Sequence, residues 1–222
     1  MVSTRAHQLA SVLLVDGTPA GFGYFPGFLD RPAQIALVQA LKHVASEAPF
    51  FVPTMPKTGK PFSVRMTNLG RLGWVSDKDH GYRYQSIHPE TGKPWPPIPE
   101  MVLEVWRKVS GYPEDPEACL VNRYEPTAKM GLHQDRDEED FAAPVVSISL
   151  GDSCLFRVGG TKRDDPTRSL KLSSGDVVVL GGESRLAFHG VDRLYPGTST
   201  LLKDWSPNSG RINLTLRRVT KP

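Results

Sequence analysis

The chain has 222 residues, 39% hydrophobic and 23% charged, enough to bury one large core or two small ones and too apolar for a disordered chain. No apolar run reaches the roughly eighteen residues that a membrane span needs. Lys and Arg outnumber Asp and Glu by 27 to 24, a net charge of +3, which permits an acidic partner such as nucleic acid without demanding one.

Leu9 to Val15 is a short apolar stretch behind Arg5, closed by Asp16. It is too short for the core of a signal peptide and is read as a strand. Asp30 can cap a helix with Pro32 in its first turn, and Ile35, Val38, Leu41 and Ala45 then recur on one face. Between Lys57 and Arg83 lie Lys57, Lys60, Arg65, Arg71, Lys78 and Arg83 against Asp77 and Asp79, with Phe62, Trp74, Tyr82 and Tyr84 interleaved. Cations with exposed aromatics suit a nucleic-acid backbone and its bases. A solvated, twisted hairpin with its aromatics in the core fits the same pattern.

The stretch from Pro89 to Pro99 reads as a linker or an ordered loop. Ile98, Met101, Val102, Val105, Trp106 and Val109 form a second helical stripe, stopped by Gly111 and Pro113. Past residue 118 the pattern turns to strands: Cys119–Glu125, Val145–Leu150, Cys154–Val158, Ser169–Leu172, Asp176–Leu180, Arg185–Val191 and Arg211–Val219. Short strands at such spacing predict a sandwich, barrel or jelly roll. Cys119 and Cys154 are the only cysteines and form no C-x-x-C pair, so they read as buried thiols of a reducing compartment, here the cytoplasm.

His133 and Asp135 stand at i and i+2, on one side of extended backbone. His189, on a predicted strand, can supply a third ligand. Two imidazoles and a carboxylate hold Fe(II) while leaving positions open for a co-substrate and dioxygen. Alternation puts Arg211, Asn213, Thr215 and Arg217 on one face of the last strand and Ile212, Leu214 and Leu216 on the other. A wet and a dry face explain this, and so does a polar lining inside a barrel. In the second case two arginines could clamp the ends of a short dicarboxylate, with Asn122 and Tyr124 adding hydrogen bonds. Together with the triad, these strands favour 2-oxoglutarate.

Several segments, in order, resemble the AlkB family, its bacterial members above all. They are Asn122-Arg123-Tyr124, Gly131 to Glu138, Gly181 to Arg185 with His189-Gly190, and Arg211 to Arg217. Upstream, Met66-Thr67-Asn68, Leu72-Gly73-Trp74 and Gly92 to Pro96 extend the likeness over nearly the whole chain. The resemblance implies an Fe(II)- and 2-oxoglutarate-dependent dioxygenase that demethylates 1-methyladenine and 3-methylcytosine in alkylated DNA, or in RNA. Dioxygen would be consumed, and formaldehyde, succinate and CO2 released. It implies a mainly β fold with flanking helices (α+β), a double-stranded β-helix or jelly roll with an N-terminal nucleotide-recognition lid. One dioxygenase domain would span 1–222, with about 1–97 forming the N-terminal extension and lid and about 98–222 the catalytic core.

In that family's terms His133, Asp135 and His189 would be the catalytic iron ligands, and Asn122, Tyr124, Arg211, Asn213 and Arg217 would hold 2-oxoglutarate. Trp74 would stack on the flipped base opposite His133, Tyr82 and Tyr84 would lie in the lid beside it, Asp137 would meet the base edge, and Arg163 would lie near the lesion. Around Trp74 the chain is about one residue longer than the bacterial pattern. Of the run Asp135 to Asp140, Glu139 and Asp140 read as a solvated loop. A monomer without membrane attachment is expected. The rival readings are a related dioxygenase acting on RNA or protein side chains, a zinc hydrolase using the same triad, and a nucleic-acid-binding module without activity.

Overall fold

The computed structural model describes residues 12–205 and 210–222. In chain order the elements are β1 (Phe22–Phe25), α1 (Arg31–Glu47), β2 (Val64–Gly70), β3 (Gly73–Asp77), β4 (Gly81–Gln85), α2 (Glu100–Val109), β5 (Ala118–Tyr124) and β6 (Met130–His133). They continue as β7 (Val145–Gly151), β8 (Ser153–Val158), β9 (Arg168–Leu172), β10 (Val177–Leu180), β11 (His189–Tyr195) and β12 (Arg211–Arg217), with a short 3-10 turn at Gly182–Ser184. Six strands form one sheet in the order β1-β10-β7-β12-β5-β2, four form a second in the order β6-β11-β8-β9, and β3 and β4 make a separate hairpin. This is the expected mainly β jelly roll with flanking helices. None of the described helices is long and apolar enough to cross a membrane.

Both helices cover one face of the larger sheet. Leu37, Val38, Leu41 and Val44 of α1 and Val102, Val105 and Trp106 of α2 are buried with Val146, Ile148, Ile212, Leu214 and Leu216. The apolar side of β12 therefore faces the helices, and its polar side must face inward between the sheets. Asp30 caps α1 by accepting from the Ala33 amide. The buried stripe of α1 is rotated from the expected one. Ile35 is 46% exposed, whereas Gln34 is buried because its amide bonds to the Leu29 carbonyl and to Ser174. Hydrophobic spacing alone could not see that anchor.

Other boundaries also differ. The strand expected at Arg185–Val191 begins only at His189, because Arg185 is buried and donates to the carbonyls of Ala143 and Asp135 instead of joining a ladder. In the expected N-terminal strand, Leu13 makes an isolated bridge to Tyr24, and residues 9–11 lie outside the described residues. The first half of the chain also supplies β1 and β2 to the larger sheet. The proline-rich stretch is an ordered loop: Ile87 bridges Pro94, and Trp95 is buried with its indole donating to the Gln85 carbonyl. Cys119 and Cys154 are both buried and free.

Candidate functional site

Strand pairing builds the site. His133, the last residue of β6, lies opposite His189, the first of β11. The two strands close tightly because Gly190 has no side chain; a Cβ there would sit 2.5 Å from the Met130 carbonyl oxygen. Asp135 follows two residues past β6. Its carboxylate lies 3.6 Å from the Nε2 atom of each histidine, and the ligand atoms of all three residues fall within 4.8 Å of one another.

The imidazoles are oriented from behind. Nδ1 of His133 is 2.9 Å from the Gly131 carbonyl, and Nδ1 of His189 is 3.0 Å from that of Ala187. Each Nδ1 therefore carries the proton and leaves Nε2 as a lone pair aimed at the centre. Burial and the neighbouring His133 push the His189 imidazole down to about 4, so it is neutral near pH 7. Burial would raise the Asp135 carboxyl, but the Arg217 guanidinium, helped by both imidazoles, holds it well below the usual carboxylate range. One Asp135 oxygen takes a 2.7 Å bond from Arg217 Nη2, and the other, Oδ2, has no hydrogen-bond partner among the described residues. Two imidazole nitrogens and a carboxylate oxygen fit a divalent transition metal such as Fe(II).

A cavity of about 430 Å³ opens from this cluster between the two sheets. Along its floor, β12 pairs with β5 so that Arg211 meets Tyr124 and Asn213 meets Asn122. Arg211 is 1% exposed and spends only Nη2, on Ser149; Nε and Nη1 have no partner among the described residues. Arg217 Nε and Asn122 Oδ1 are unpartnered as well. Leaving the three arginine donors dry and unpaired is costly, and a dicarboxylate would satisfy them, whereas Asn122 Oδ1 can only accept. Tyr124 is buried beside Arg211, and burial keeps its phenol protonated. Asn213 is already committed, donating to Ser147 and to the Ile148 carbonyl.

The opposite wall comes from the β3–β4 hairpin. Asn68 holds the Trp74 backbone through both its amide atoms, and the Trp74 indole donates to Asp137 Oδ2 at 2.8 Å. Tyr82, 51% exposed at the mouth, stacks on Trp74 at 5.5 Å. Asp137 lines the same cavity. Arg163 is exposed outside it, 3.4 Å from the Leu132 carbonyl and packed over Phe188. Tyr84 does not reach the cavity. Its hydroxyl donates to Glu138 and accepts from Arg217, which overturns its expected place beside the substrate. Nor is the acidic run all solvated: Glu138 is buried between Arg185 and Arg217, and Asp140 is buried and bonded to Tyr112. Met130 and Phe156 also line the cavity, and in the sequence they are ordinary core candidates, while Phe62 lines it as one of the aromatics interleaved in the basic segment.

The pattern of the 2OG-Fe(II) oxygenase superfamily matches residues 21–217. The chain is 58% identical over 200 residues to the alpha-ketoglutarate-dependent dioxygenase AlkB homolog of Caulobacter vibrioides, covering 90% of this chain and 88% of that one. It is 46% identical over 189 residues to the alpha-ketoglutarate-dependent dioxygenase AlkB of Escherichia coli K12, with 83% and 84% covered. A Schizosaccharomyces pombe relative named tRNA demethylase abh1 is 31% identical over 172 residues, 72% of this chain and 57% of its own. The solved structure of OsALKBH1 superposes with a TM-score of 0.77 at 31% identity, over 94% of this chain and 100% of that one.

Proposed function

Because the chain belongs to the AlkB family of the 2OG-Fe(II) oxygenase superfamily, we propose that its cavity receives an N-alkylated nucleic-acid base and removes the alkyl group oxidatively. The chain is an Fe(II)- and 2-oxoglutarate-dependent dioxygenase. The substrates are 1-methyladenine and 3-methylcytosine in DNA, with RNA a further polymer. One observation carries this reading: a single cavity joins the His133, Asp135 and His189 cluster to a wall made of an aromatic side chain and a carboxylate, Trp74 and Asp137.

Bound Fe(II) and 2-oxoglutarate supply the oxidation with dioxygen, yielding succinate, CO2 and, from the methyl group, formaldehyde. His133, Asp135 and His189 hold the metal. Arg211 takes one carboxylate of the co-substrate and Arg217 the other, with Asn122 and Tyr124 hydrogen-bonding between them and Asn213 bracing the floor. The hairpin is the lid within the N-terminal extension of one dioxygenase domain. Trp74 stacks the extruded base against His133, and Tyr82 at the mouth and Arg163 at the rim lie along the strand. A base methylated at these positions pairs badly and leaves the duplex at low cost. It is also cationic near neutral pH, so the Asp137 carboxylate attracts it. The enzyme acts as a monomer in the cytoplasm, a reducing setting that two free buried thiols fit.

Formaldehyde release from oligonucleotides carrying 1-methyladenine or 3-methylcytosine, as DNA and as RNA, tests the proposal against methylated peptides. Turnover of peptides alone would overturn it. Trp74→Ala is expected to weaken binding of the lesion by about 1–3 kcal/mol. Decarboxylation of 2-oxoglutarate without nucleic acid should be largely spared. Equal loss of both reactions would make Trp74 a packing residue and nothing more.

A further inference from the structure

The hairpin grips the metal loop at two adjacent residues. Trp74 and Tyr84 are cross-strand partners in β3 and β4, and they bond to the neighbouring acids Asp137 and Glu138. Only the first of these contacts faces the cavity. Beneath it, four charges are buried together. Glu138 binds Arg185 Nη2 at 3.0 Å through one oxygen and Arg217 Nη1 at 3.2 Å through the other, while Arg217 Nη2 reaches Asp135 at 2.7 Å. Arg185 spends its other nitrogens on the Asp135 and Ala143 carbonyls and cannot follow a moving partner.

The Tyr84 hydroxyl enters this network from the lid. It accepts from Arg217 Nη1 at 3.0 Å and donates to Glu138 Oε1. Burial drives its phenol far above the ordinary value, so it stays a proton donor across the working range. Two partners hold one edge of Arg217, Tyr84 and Glu138, and Asp135 holds the other. The remaining nitrogen, Nε, is buried without a partner among the described residues. The direction in which that nitrogen points depends on how Nη1 is held.

We propose that Tyr84 is a positioning residue for the 2-oxoglutarate site, a lid side chain that fixes the Arg217 guanidinium through a shared bond with Glu138. Its place in β4 ties that grip to the lid. When the hairpin lifts, Arg217 loses one acceptor, Glu138 loses its one neutral donor, and the guanidinium is held by Asp135 and Glu138 alone. The dependence is reciprocal: if a docked hairpin improves co-substrate binding, bound co-substrate must favour the docked hairpin by the same factor. The inference rests on the assignment of Arg217 to the co-substrate and does not depend on which nucleic acid is repaired.

The test uses the full chain loaded with Mn(II), without nucleic acid, and measures 2-oxoglutarate binding by calorimetry. Tyr84→Phe should weaken binding by about 3- to 10-fold, the worth of one buried hydrogen bond. Tyr112→Phe is the control. It removes a tyrosine–carboxylate bond to Asp140 in the same acidic run but far from Arg217 in the hydrogen-bond network. Its 2-oxoglutarate affinity should match wild type. Hydrogen exchange gives the second readout: adding 2-oxoglutarate should slow the amides of Gly81–Gln85 in wild type and not in Tyr84→Phe. Should Tyr84→Phe fold poorly, Glu138→Gln, which keeps an acceptor for the tyrosine but loses the ion pair, should weaken 2-oxoglutarate likewise. Unchanged affinity in Tyr84→Phe, equal weakening in both tyrosine variants, or lid protection that survives without the hydroxyl would each overturn the inference. Wild-type enzyme that binds 2-oxoglutarate but turns over no alkylated nucleic acid would refute the substrate proposal and leave this result standing.

Discussion

His189→Ala is expected to abolish turnover on alkylated oligonucleotides while leaving the metal-free protein folded. The ring is one of three ligands, it is neutral, and its Nδ1 is fixed by the Ala187 carbonyl. Removing a partner that merely orients a ligand costs roughly 10- to 100-fold, and losing the ligand itself should exceed that. His133→Ala should behave the same way, because Asp135, the buried charge beside both imidazoles, keeps its 2.7 Å bond from Arg217. Asp135→Ala should differ. Its carboxylate is the 2.7 Å partner of the buried Arg217, so the variant should lose stability as well as activity, by less than the roughly 3–5 kcal/mol of a fully broken buried pair because Glu138 still holds Arg217 Nη1. Formaldehyde assays with thermal melts of the metal-free variants separate the two effects. Wild-type activity in either histidine variant would remove the metal assignment, and equal melting in all three would remove the Arg217 pairing.

The second large effect separates the two arginines of β12. Arg211→Ala should raise the KM for 2-oxoglutarate by about 10- to 100-fold, since a charged hydrogen-bonding partner is lost from a dry site. Metal affinity should stay as it was, because the one bond Arg211 makes is to Ser149. Arg217→Ala should raise KM and also alter metal binding, because Asp135 loses its guanidinium partner while Glu138 keeps only Arg185. Arg168→Ala, at the exposed start of β9, should change neither. Steady-state kinetics with Mn(II) titration would show these three patterns. If Arg211 and Arg168 behaved alike, the inward-facing side of β12 would hold no co-substrate.

Much of this was legible in the residue order. Alternation along Arg211–Arg217 sorts side chains by face in any extended strand, and the structure keeps that sorting: Ile212, Leu214 and Leu216 pack against the helices while the polar residues line the cavity. The helix cap at Asp30 and the stop after Val109 were equally local, since caps and glycines act within a few residues.

What the sequence by itself determined is the kind of chemistry. Residue type and spacing limit His133, Asp135 and the β12 arginines to metal and carboxylate binding, because ligand identity is a property of single side chains. Only the tertiary structure decided which polar groups are spent and which remain available. Arg211 keeps two free nitrogens, whereas Arg217 is divided among Asp135, Glu138 and Tyr84. Tyr82 stands at the mouth and Tyr84 two residues later is locked beneath it, on one face of one strand. Glu138 and Asp140, indistinguishable from Glu139 in an acidic run, are buried because Arg185, Arg217 and Tyr112 reach them from distant parts of the chain. Such pairings carry no local signature, since a buried charge is stable only where folding brings its partner.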